Sequence, residues 1–429
     1  MTQSRELLES LFWTAVAAAH PAHCLPPALP EPPLRGRLIL LAAGKGAGSL
    51  TEVAERHYLA LISETRLEGV AVARHGYGRP TRRIAMVEAG HPIPDEAGLA
   101  GAERALALAA GAGADDLVLV LLSGGASANW IAPATGVTLA EKQAATRALL
   151  RSGAHIGEIN CVRKHLSRIK GGRLARRAFP ARVVTLAISD VPGDDPAVIG
   201  SGPTVADPTT LADARGIVAK YRLELPPAVS GALRDPANES PKPGDEVFAR
   251  SEYRILARPA DALAAAQARA REAGFDCVVL SDRLQGEARE VAAQHARLAR
   301  DYAAAGHRIA ILSGGELTVT LRGGGHGGPN QEYALALAIE LRGAKGIAGF
   351  AADTDGTDGG QGRPDDPAGA FIDGTTLARA KGFGLDPAAF LADNDSTGFF
   401  NGIGDLFAPG PTFTNVTDFR AIIVDRPAD

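Results

Sequence analysis

Cysteine is scarce in this 429-residue sequence, which contains three, Cys24, Cys161 and Cys277. They lie far apart and none belongs to a CxxC pair, so we expect neither disulfide bridges nor a thiolate zinc site. Unpaired cysteines are typical of a reducing compartment, and we therefore expect a cytoplasmic protein.

Long apolar runs and a strong charge of either sign are also missing. No stretch approaches the roughly 18 apolar residues of a membrane span, and Glu6 and Glu9 interrupt the first apolar segment, which argues against a secretory signal. The net charge is −4. Neither a nucleic acid nor a membrane surface is therefore an expected partner.

Glycine and proline are plentiful, with 50 and 28 residues, which suits a fold with many turns between strands and helices. Nearly continuous apolar runs at 38–43, 117–122 and 183–188 alternate with helical patterns. Such runs form strands that are buried on both faces. The sequence therefore predicts an α/β fold with mostly parallel sheets and helices on both sides, Rossmann-like in its N-terminal part.

The alternation breaks between about residues 225 and 245, where five prolines lie among asparagine, serine and aspartate. Beyond this segment the pattern of strands and helices restarts. We predict two α/β domains, 1–235 and 246–429, with the active site in the cleft between them.

Lys45 lies in a glycine-rich turn, GKGAGS (44–49), between a predicted strand and a predicted helix. Converging backbone N–H groups, a helix N-terminus and the lysine charge suit a phosphate or a carboxylate. The lysine comes too early for a Walker A loop, and the glycine spacing is not GxGxxG. A tight turn without a ligand is the alternative.

Two Ser-Gly-Gly loops follow other predicted strands, SGGAS (123–127) and SGGE (313–316). Ligands of open α/β sheets bind at the carboxyl ends of strands, so both loops are candidates, with a plain turn as the alternative. The basic segment 156–177 is either a solvated helix face or the source of Arg163, Lys164 or Lys170 for a polyphosphate.

Aspartates concentrate in two loops. Asp190 directly follows a predicted strand, and a carboxylate there is typical of a magnesium ligand or of a general base for a substrate hydroxyl. The loop DTDGTDG (353–359) holds three carboxylates that repel one another, so we expect a cation or a phosphate-linked role. Local turn bonding is the alternative for both. The glycine-rich turn 323–328 is a candidate lid, and Asn330 a candidate N-cap of the next helix.

Together these loops resemble the glycerate 2-kinase family, whose members combine an N-terminal glycerate-kinase domain with a C-terminal MOFRL domain. The matching stretches run in family order over nearly the whole chain. They are AAGKGAGSL (42–50), LLSGGASA (121–128), NCVRKHLSRIKGGRLA (160–175), ISDVPGDDPAVIGSGPT (188–204), LSGGE (312–316), PNQE (329–332), DTDGTDG (353–359) and NGIGDL (401–406).

The resemblance implies an ATP-dependent, magnesium-assisted phosphorylation of D-glycerate to 2-phospho-D-glycerate, with the MOFRL region at about 305–425. A homodimer is one candidate assembly. The implied catalytic residues are Lys45, Arg163 and Asp190. The candidate substrate- or nucleotide-binding residues are Gly44, Gly46, Gly48, Ser49, Ser123, Gly124, Gly125, Ser127, Lys164, Lys170, Ser313, Gly314, Gly315, Glu316, Asn330 and Gln331. The candidate metal ligands are Asp190, Asp194, Asp353, Asp355 and Asp358.

Two other functions fit parts of the sequence. Relatives in tartrate degradation are also known as hydroxypyruvate reductases, and Arg74 could meet the 2′-phosphate of NADPH, but the GxGxxG fingerprint is missing. A ligand-binding regulator on the same frame would need no lysine or carboxylates in its cleft, and this chain has both.

Overall fold

The computed structural model describes residues 2–360 and 363–425. Within them the chain forms two compact units. The parallel-sheet unit is Cys24–Leu256, and the mixed-sheet unit combines Met1–His23 with Ala257–Asp429. Each unit is built on a six-stranded sheet, and the predicted α/β fold is confirmed.

The first sheet has the strand order β3-β2-β1-β4-β5-β6. Strand β1 pairs in parallel with β2 and β4, β2 with β3, and β4 with β5. All residues of β1 and β4 are buried, because helices cover both faces of the sheet. The strands are β1 (Leu38–Gly44), β2 (Leu67–Arg74), β3 (Ile84–Ala89), β4 (Leu117–Leu122), β5 (Arg182–Ile188) and β6 (Ser251–Ala257).

Helix packing follows from the alternation of side chains along these strands. Ile39, Val70 and Val118 pack in one core with Ala102 and Leu106 of α4, while α3 packs on β1 and β2. The helices that follow α1 (Thr2–Ala19) are α2 (Pro21–Cys24), α3 (Ala47–Leu59), α4 (Glu96–Ala110), α5 (Ala126–Asn129), α6 (Leu139–Arg151), α7 (Ile156–His165), α8 (Arg173–Ala178), α9 (Leu211–Lys220) and α10 (Pro227–Ala232).

The second sheet has the order β11-β10-β9-β12-β8-β7. Strands β7 and β8 are parallel, whereas β12 lies between β8 and β9 and runs antiparallel to both. Strand β10 is antiparallel to β9 and to β11, so β7, β8, β9 and β11 share one direction. The strands are β7 (Asp276–Val279), β8 (Ile309–Ser313), β9 (Ile347–Asp353), β10 (Gly369–Asp373), β11 (Leu406–Phe407) and β12 (Asp418–Val424).

The N-terminal helix α1 belongs to the mixed-sheet unit. Its Phe12 packs edge-on against Phe350, Phe407 and Phe419, with ring centroids 5.1–6.1 Å apart, while α12 and α13 contribute to the core that includes Ile422. The other helices are α11 (Pro259–Glu272), α12 (Ala288–Ala304), α13 (Pro329–Leu341), α14 (Thr376–Gly382), α15 (Pro387–Ala392) and α16 (Ser396–Ile403).

The units differ from the predicted division into 1–235 and 246–429. Helix α1 joins the C-terminal half through its aromatic contacts, and β6 completes the first sheet beside β5. The proline-rich segment is therefore internal to the parallel-sheet unit. In the described part of the chain, no helix is both long and apolar enough to span a bilayer.

Candidate active site

The Lys45 turn and the first Ser-Gly-Gly loop interlock at the carboxyl edge of the parallel sheet. The Lys45 N–H donates to Gly124 O (2.7 Å), and the Gly46 N–H donates to Ser123 Oγ (2.8 Å). Gly44 has φ +120°, and a Cβ there would lie 2.4 Å from Ser123 Oγ. The two predicted glycine loops therefore form one structure, and its close approach requires glycine at position 44.

The half-buried Lys45 side chain lies against Gly125, and so does the ring of His91. A Cβ added to Gly125 would meet His91 Cδ2 at 3.0 Å and Lys45 Cγ at 3.3 Å. Gly125 has φ +86° and precedes α5. Sequence reasoning missed His91, because a single histidine beyond a strand has no diagnostic spacing.

Ser127, in α5, connects the glycine loops to the basic segment. Its Oγ accepts hydrogen bonds from Arg163 (2.7 Å) and Lys170 (3.1 Å) and lies 2.8 Å from Ser201 Oγ. Lys170 Nζ also donates to the Ser127 carbonyl (2.6 Å). The structure thus brings together the predicted residues Ser127, Arg163 and Lys170.

Ser201 was not predicted as a site residue, although it lies within the quoted stretch 188–204. It has φ +64°, in the left-handed region, between Gly200 and Gly202. The Gly171 N–H donates to Ser201 O (3.0 Å), and the Gly172 N–H donates to Gly202 O (2.8 Å). Backbone strain of this kind persists where surrounding contacts impose it.

Positive charge is concentrated in this cluster, at the buried Lys170 and the half-buried Arg163. Lys170 is 1% exposed, and burial lowers its pKa well below the usual value, with further lowering by the charges of Arg163 and Lys142. Burial also lowers the pKa of Arg163. Among the described residues, no carboxylate hydrogen-bonds to either side chain. A buried cation without a carboxylate partner favours the binding of an anion.

Lys142 supports this cluster from α6 and was not predicted. Its Nζ donates to the carbonyls of Arg163 (2.9 Å) and Leu166 (3.1 Å) at the end of α7. A lysine at a helix C-terminus satisfies carbonyls that lack partners within the helix. Lys142 therefore fixes the helix end that carries Arg163.

Lys164, a candidate substrate- or nucleotide-binding residue, forms an ion pair with Asp207. Its Nζ lies 3.5 Å from Asp207 Oδ1, and both side chains are buried. Burial raises the pKa of Asp207 and the charge of Lys164 lowers it, with a net value below the usual one. Lys164 is thus committed to a buried ion pair, while Arg163 and Lys170 contact Ser127.

Asp190 lies two residues beyond β5, at the same sheet edge as the glycine loops, because β5 pairs in parallel with β4. Its side chain is half-buried. Asp194 belongs to a turn, with φ +55° and its N–H donating to Val191 O (3.0 Å). Asp190 is therefore placed at the edge where ligands of parallel sheets bind.

The second Ser-Gly-Gly loop, at the end of β8, contacts a buried arginine. Arg420 of β12 donates to the carbonyls of Gly314 (2.8 Å) and Gly315 (2.7 Å) and to Asp418 Oδ2 (2.9 Å). Sequence reasoning missed Arg420 and Asp418 because their approach depends on β12 pairing with β8. Ser313 is buried in β8, whereas Glu316 is exposed.

Asp358 accepts hydrogen bonds at the N-terminus of α13. Its carboxyl oxygens accept from the N–H groups of Asn330 (3.0 Å) and Gln331 (2.8 Å) and from both side-chain amides (3.2 Å each). The predicted N-cap, Asn330, lies inside the helix, whose N-cap is Gly328. Burial and the charge of Asp418 raise the pKa of Asp358 to about 7.

The other two aspartates of this loop serve local turns. Asp353 Oδ1 accepts from the Asp355 N–H (2.9 Å), and Asp355 Oδ1 accepts from the N–H (2.8 Å) and hydroxyl (3.1 Å) of Thr357. Over residues 2–360 and 363–425, no three acidic, histidine or cysteine side chains are arranged to hold a metal ion. The three aspartates are therefore not brought together as a metal site.

The glycine-rich turn 323–328 is held by the loop that precedes α16. Asn394 Oδ1 accepts from the N–H groups of Arg322 (2.7 Å) and Gly323 (3.1 Å), and Asp395 Oδ1 accepts from the His326 N–H (3.1 Å). The Asn394 and Asp395 side chains therefore hold this turn in place. They give the predicted lid role no support.

Comparison with known proteins agrees with the motifs. A model of a domain of unknown function, DUF4147, matches residues 7–234, and the MOFRL family model matches residues 309–418. A protein of Agrobacterium vitis, provisionally named a hydroxypyruvate reductase, is 46% identical over 98% of this chain and 94% of its own length.

Two further relatives have kinase names. A D-glycerate 2-kinase of Thermotoga maritima is 39% identical, covering 96% of this chain and 97% of that protein. A crystal structure of glycerate kinase from the same organism matches 99% of this chain and 100% of its own, with a TM-score of 0.86 and 37% identity. Because these relatives match over nearly their full lengths, the protein belongs to the glycerate 2-kinase family, with a DUF4147 domain followed by a MOFRL domain.

Proposed function

We propose that this protein transfers the γ-phosphoryl group of ATP to the 2-hydroxyl of D-glycerate, giving 2-phospho-D-glycerate. The kinase names of the relatives support a phosphotransferase with an alcohol acceptor. The observation that carries the proposal is the interlocked pair of glycine loops, with Lys45 on one side and two cations around Ser127, the half-buried Arg163 and the buried Lys170.

Phosphoryl transfer suits this arrangement because the reaction needs positioning and charge neutralisation more than covalent catalysis. Lys45 would neutralise the transferring phosphoryl group or the glycerate carboxylate. Arg163 and Lys170 would face the remaining phosphate charge. Burial, followed by repulsion from neighbouring cations, lowers the pKa of Lys170, and an anion beside its ammonium group would offset that repulsion.

Magnesium in kinases commonly binds through one or two carboxylates together with the phosphates of the nucleotide. A dedicated cluster of acidic ligands is therefore unnecessary. Asp190, half-buried at the carboxyl edge of the parallel sheet, is our candidate ligand, with Asp194 in the same loop as the second. The ion would offset charge on the β- and γ-phosphates.

A hydroxypyruvate reductase is the second candidate, because the 46% identical relative has that name. The residues that would bind NADPH do not favour it. Arg74 is 5% exposed, and its guanidinium lies 5.0 Å from the centroid of the Tyr77 ring. An arginine that binds a 2′-phosphate is expected to have an accessible guanidinium.

The test is a pair of assays on the purified full-length chain. We expect ADP release with D-glycerate, ATP and Mg²⁺, and a product that enolase consumes without added phosphoglycerate mutase. We expect no NADH or NADPH oxidation with hydroxypyruvate. Reductase turnover without ADP release would contradict the proposal, and a product that needs the mutase would reassign the hydroxyl.

A further inference from the structure

His91 lies beside the side chain assigned to phosphate or substrate, although no motif marks it. Its ring and the Lys45 stem approach Gly125 together, each within 3.3 Å of the position that a Cβ would occupy there. The histidine follows β3, whose carboxyl end lies at the same sheet edge as the ends of β1 and β4. It is therefore a near neighbour of Lys45 and the Ser-Gly-Gly loop.

The loop that carries His91 is fixed at several points. The Gly90 carbonyl accepts from Asn129 Nδ2 (3.2 Å), and the Gly90 N–H donates to Asp95 Oδ2 (2.9 Å). Gln143 Nε2 donates to the Pro94 carbonyl (2.8 Å). Asn129 belongs to α5, the helix that also carries Ser127. The same short helix thus positions the backbone next to His91 and the serine that contacts Arg163.

The charged side chains named around His91 are those of Lys45 and Asp95. The stem of Lys45 and the His91 ring flank the same glycine, Gly125. On the loop that carries His91, Asp95 is hydrogen-bonded to His75 (2.9 Å). A neutral imidazole is the form that accepts a proton.

We propose that His91 is a further catalytic residue, which accepts the proton of the acceptor hydroxyl during phosphoryl transfer. This inference rests on the proposed kinase function. The hydroxyl oxygen of the hydroxy acid forms a bond to the γ-phosphorus, and the bond from that phosphorus to the β–γ bridging oxygen breaks. ADP leaves with the electron pair of that bond. The hydroxyl proton moves to a His91 ring nitrogen and then to solvent.

The experiment compares the wild-type chain with His91→Gln, which keeps a polar side chain but does not titrate. In the wild type, kcat/KM falls as the pH drops through the histidine pKa. In His91→Gln we expect kcat to fall about 10²–10⁴-fold at pH 7.5, and the acidic limb of the profile to disappear. Affinity for ATP, measured by calorimetry without turnover, stays within twofold of the wild type.

Two controls separate catalysis from folding. His307→Gln changes an exposed histidine of the mixed-sheet unit and keeps wild-type turnover. His91→Gly, which removes the ring, recovers turnover when imidazole is added, because a free base then accepts the proton. A merely structural histidine would give no such recovery.

The role of His91 and the kinase function are tested by different results. In one result the wild type is active while His91→Gln keeps a kcat within threefold of the wild-type value, and in another the variant keeps the acidic limb of the pH profile. Either result would overturn the role of His91 but not the kinase function. Absence of ATP turnover with D-glycerate in the wild type would overturn both.

Discussion

Replacing Asp358 with alanine would separate a structural role for the acidic loop from a metal-binding role. The substitution removes both oxygens that accept hydrogen bonds at the start of α13. It leaves the N–H groups of Asn330 and Gln331 without acceptors inside the protein, and Asn330 and Gln331 are 0% exposed. The loss therefore falls on donors that water cannot easily reach.

The size of the effect follows from two contributions. Removal of a helix-capping acceptor costs about 0.5–2 kcal/mol, and each buried donor left without a partner costs about 1–3 kcal/mol. Loss of the repulsion between Asp358 and Asp418, which helps to raise the pKa of Asp358 to about 7, offsets part of this. We expect a net destabilisation of about 3 kcal/mol.

Urea unfolding and hydrogen exchange would measure this change. A local or global loss of about 3 kcal/mol raises amide exchange in α13 by about 10²-fold. The matched control is Asp365→Ala, in the same loop, where the side chain is 73% exposed and 3.1 Å from Arg363. An exposed ion pair of this kind contributes about 0–1 kcal/mol, so the control should unfold almost like the wild type.

A metal role for Asp358 would give a different result. Mg²⁺ would then stabilise the wild type without nucleotide, and Asp358→Ala would abolish that stabilisation. If the variant also unfolded at the wild-type urea concentration, the capping argument would be refuted.

Three other predictions concern single side chains. Lys45→Ala should lower kcat/KM about 10²–10³-fold without changing the melting temperature. The control Lys345→Ala, at an exposed lysine, should keep full turnover. Equal activity of the two variants would show that Lys45 does not belong to the site. The pKa of Asp358 is about 7 in the folded state and about 3.9 in the unfolded state. The folded state therefore keeps the Asp358 proton up to a higher pH than the unfolded state does. The free energy of unfolding therefore falls as pH rises from about 4 to about 7, by up to about 4 kcal/mol. In Asp358→Asn, the urea midpoint should not show this decrease with pH. Lys142→Met removes the Lys142 donor from the carbonyls of Arg163 and Leu166, although Leu166 O still accepts from the Ala134 N–H (3.0 Å). The change should cost about 1–3 kcal/mol, whereas a variant as stable as wild type would show that these bonds contribute nothing.

The sequence predicted the chemistry-bearing loops of the parallel-sheet unit because strands buried on both faces are continuous apolar runs. The run at 38–43 ends at Gly44, and the run at 117–122 ends at Ser123. Parallel pairing of β1 with β4 then brings both loops to one edge. Local pattern and one topological rule were therefore enough for these loops.

Contacts that depend on strand order could not be predicted in this way. Arg420 reaches Gly314 and Gly315 because β12 lies beside β8, although more than 100 residues separate them in the chain. Lys164 and Arg163 are adjacent in sequence, yet one is paired with Asp207 and the other contacts Ser127. Which neighbour meets a carboxylate is decided by the packing of α7, not by composition.

The contrast between the acidic loop and the basic cluster explains why charge density in a sequence is an ambiguous sign of a site. The aspartates of 353–358 are close together, but N–H and hydroxyl donors of the same unit occupy their oxygens. The cations Arg163 and Lys170 come from positions that look like an ordinary basic helix, yet in the described structure they meet neutral oxygens of Ser127. A buried charge that its own fold leaves unneutralised favours a ligand of opposite sign. By that criterion we propose the anion site at Ser127 and its neighbours, and we expect a structural role for the denser acidic loop.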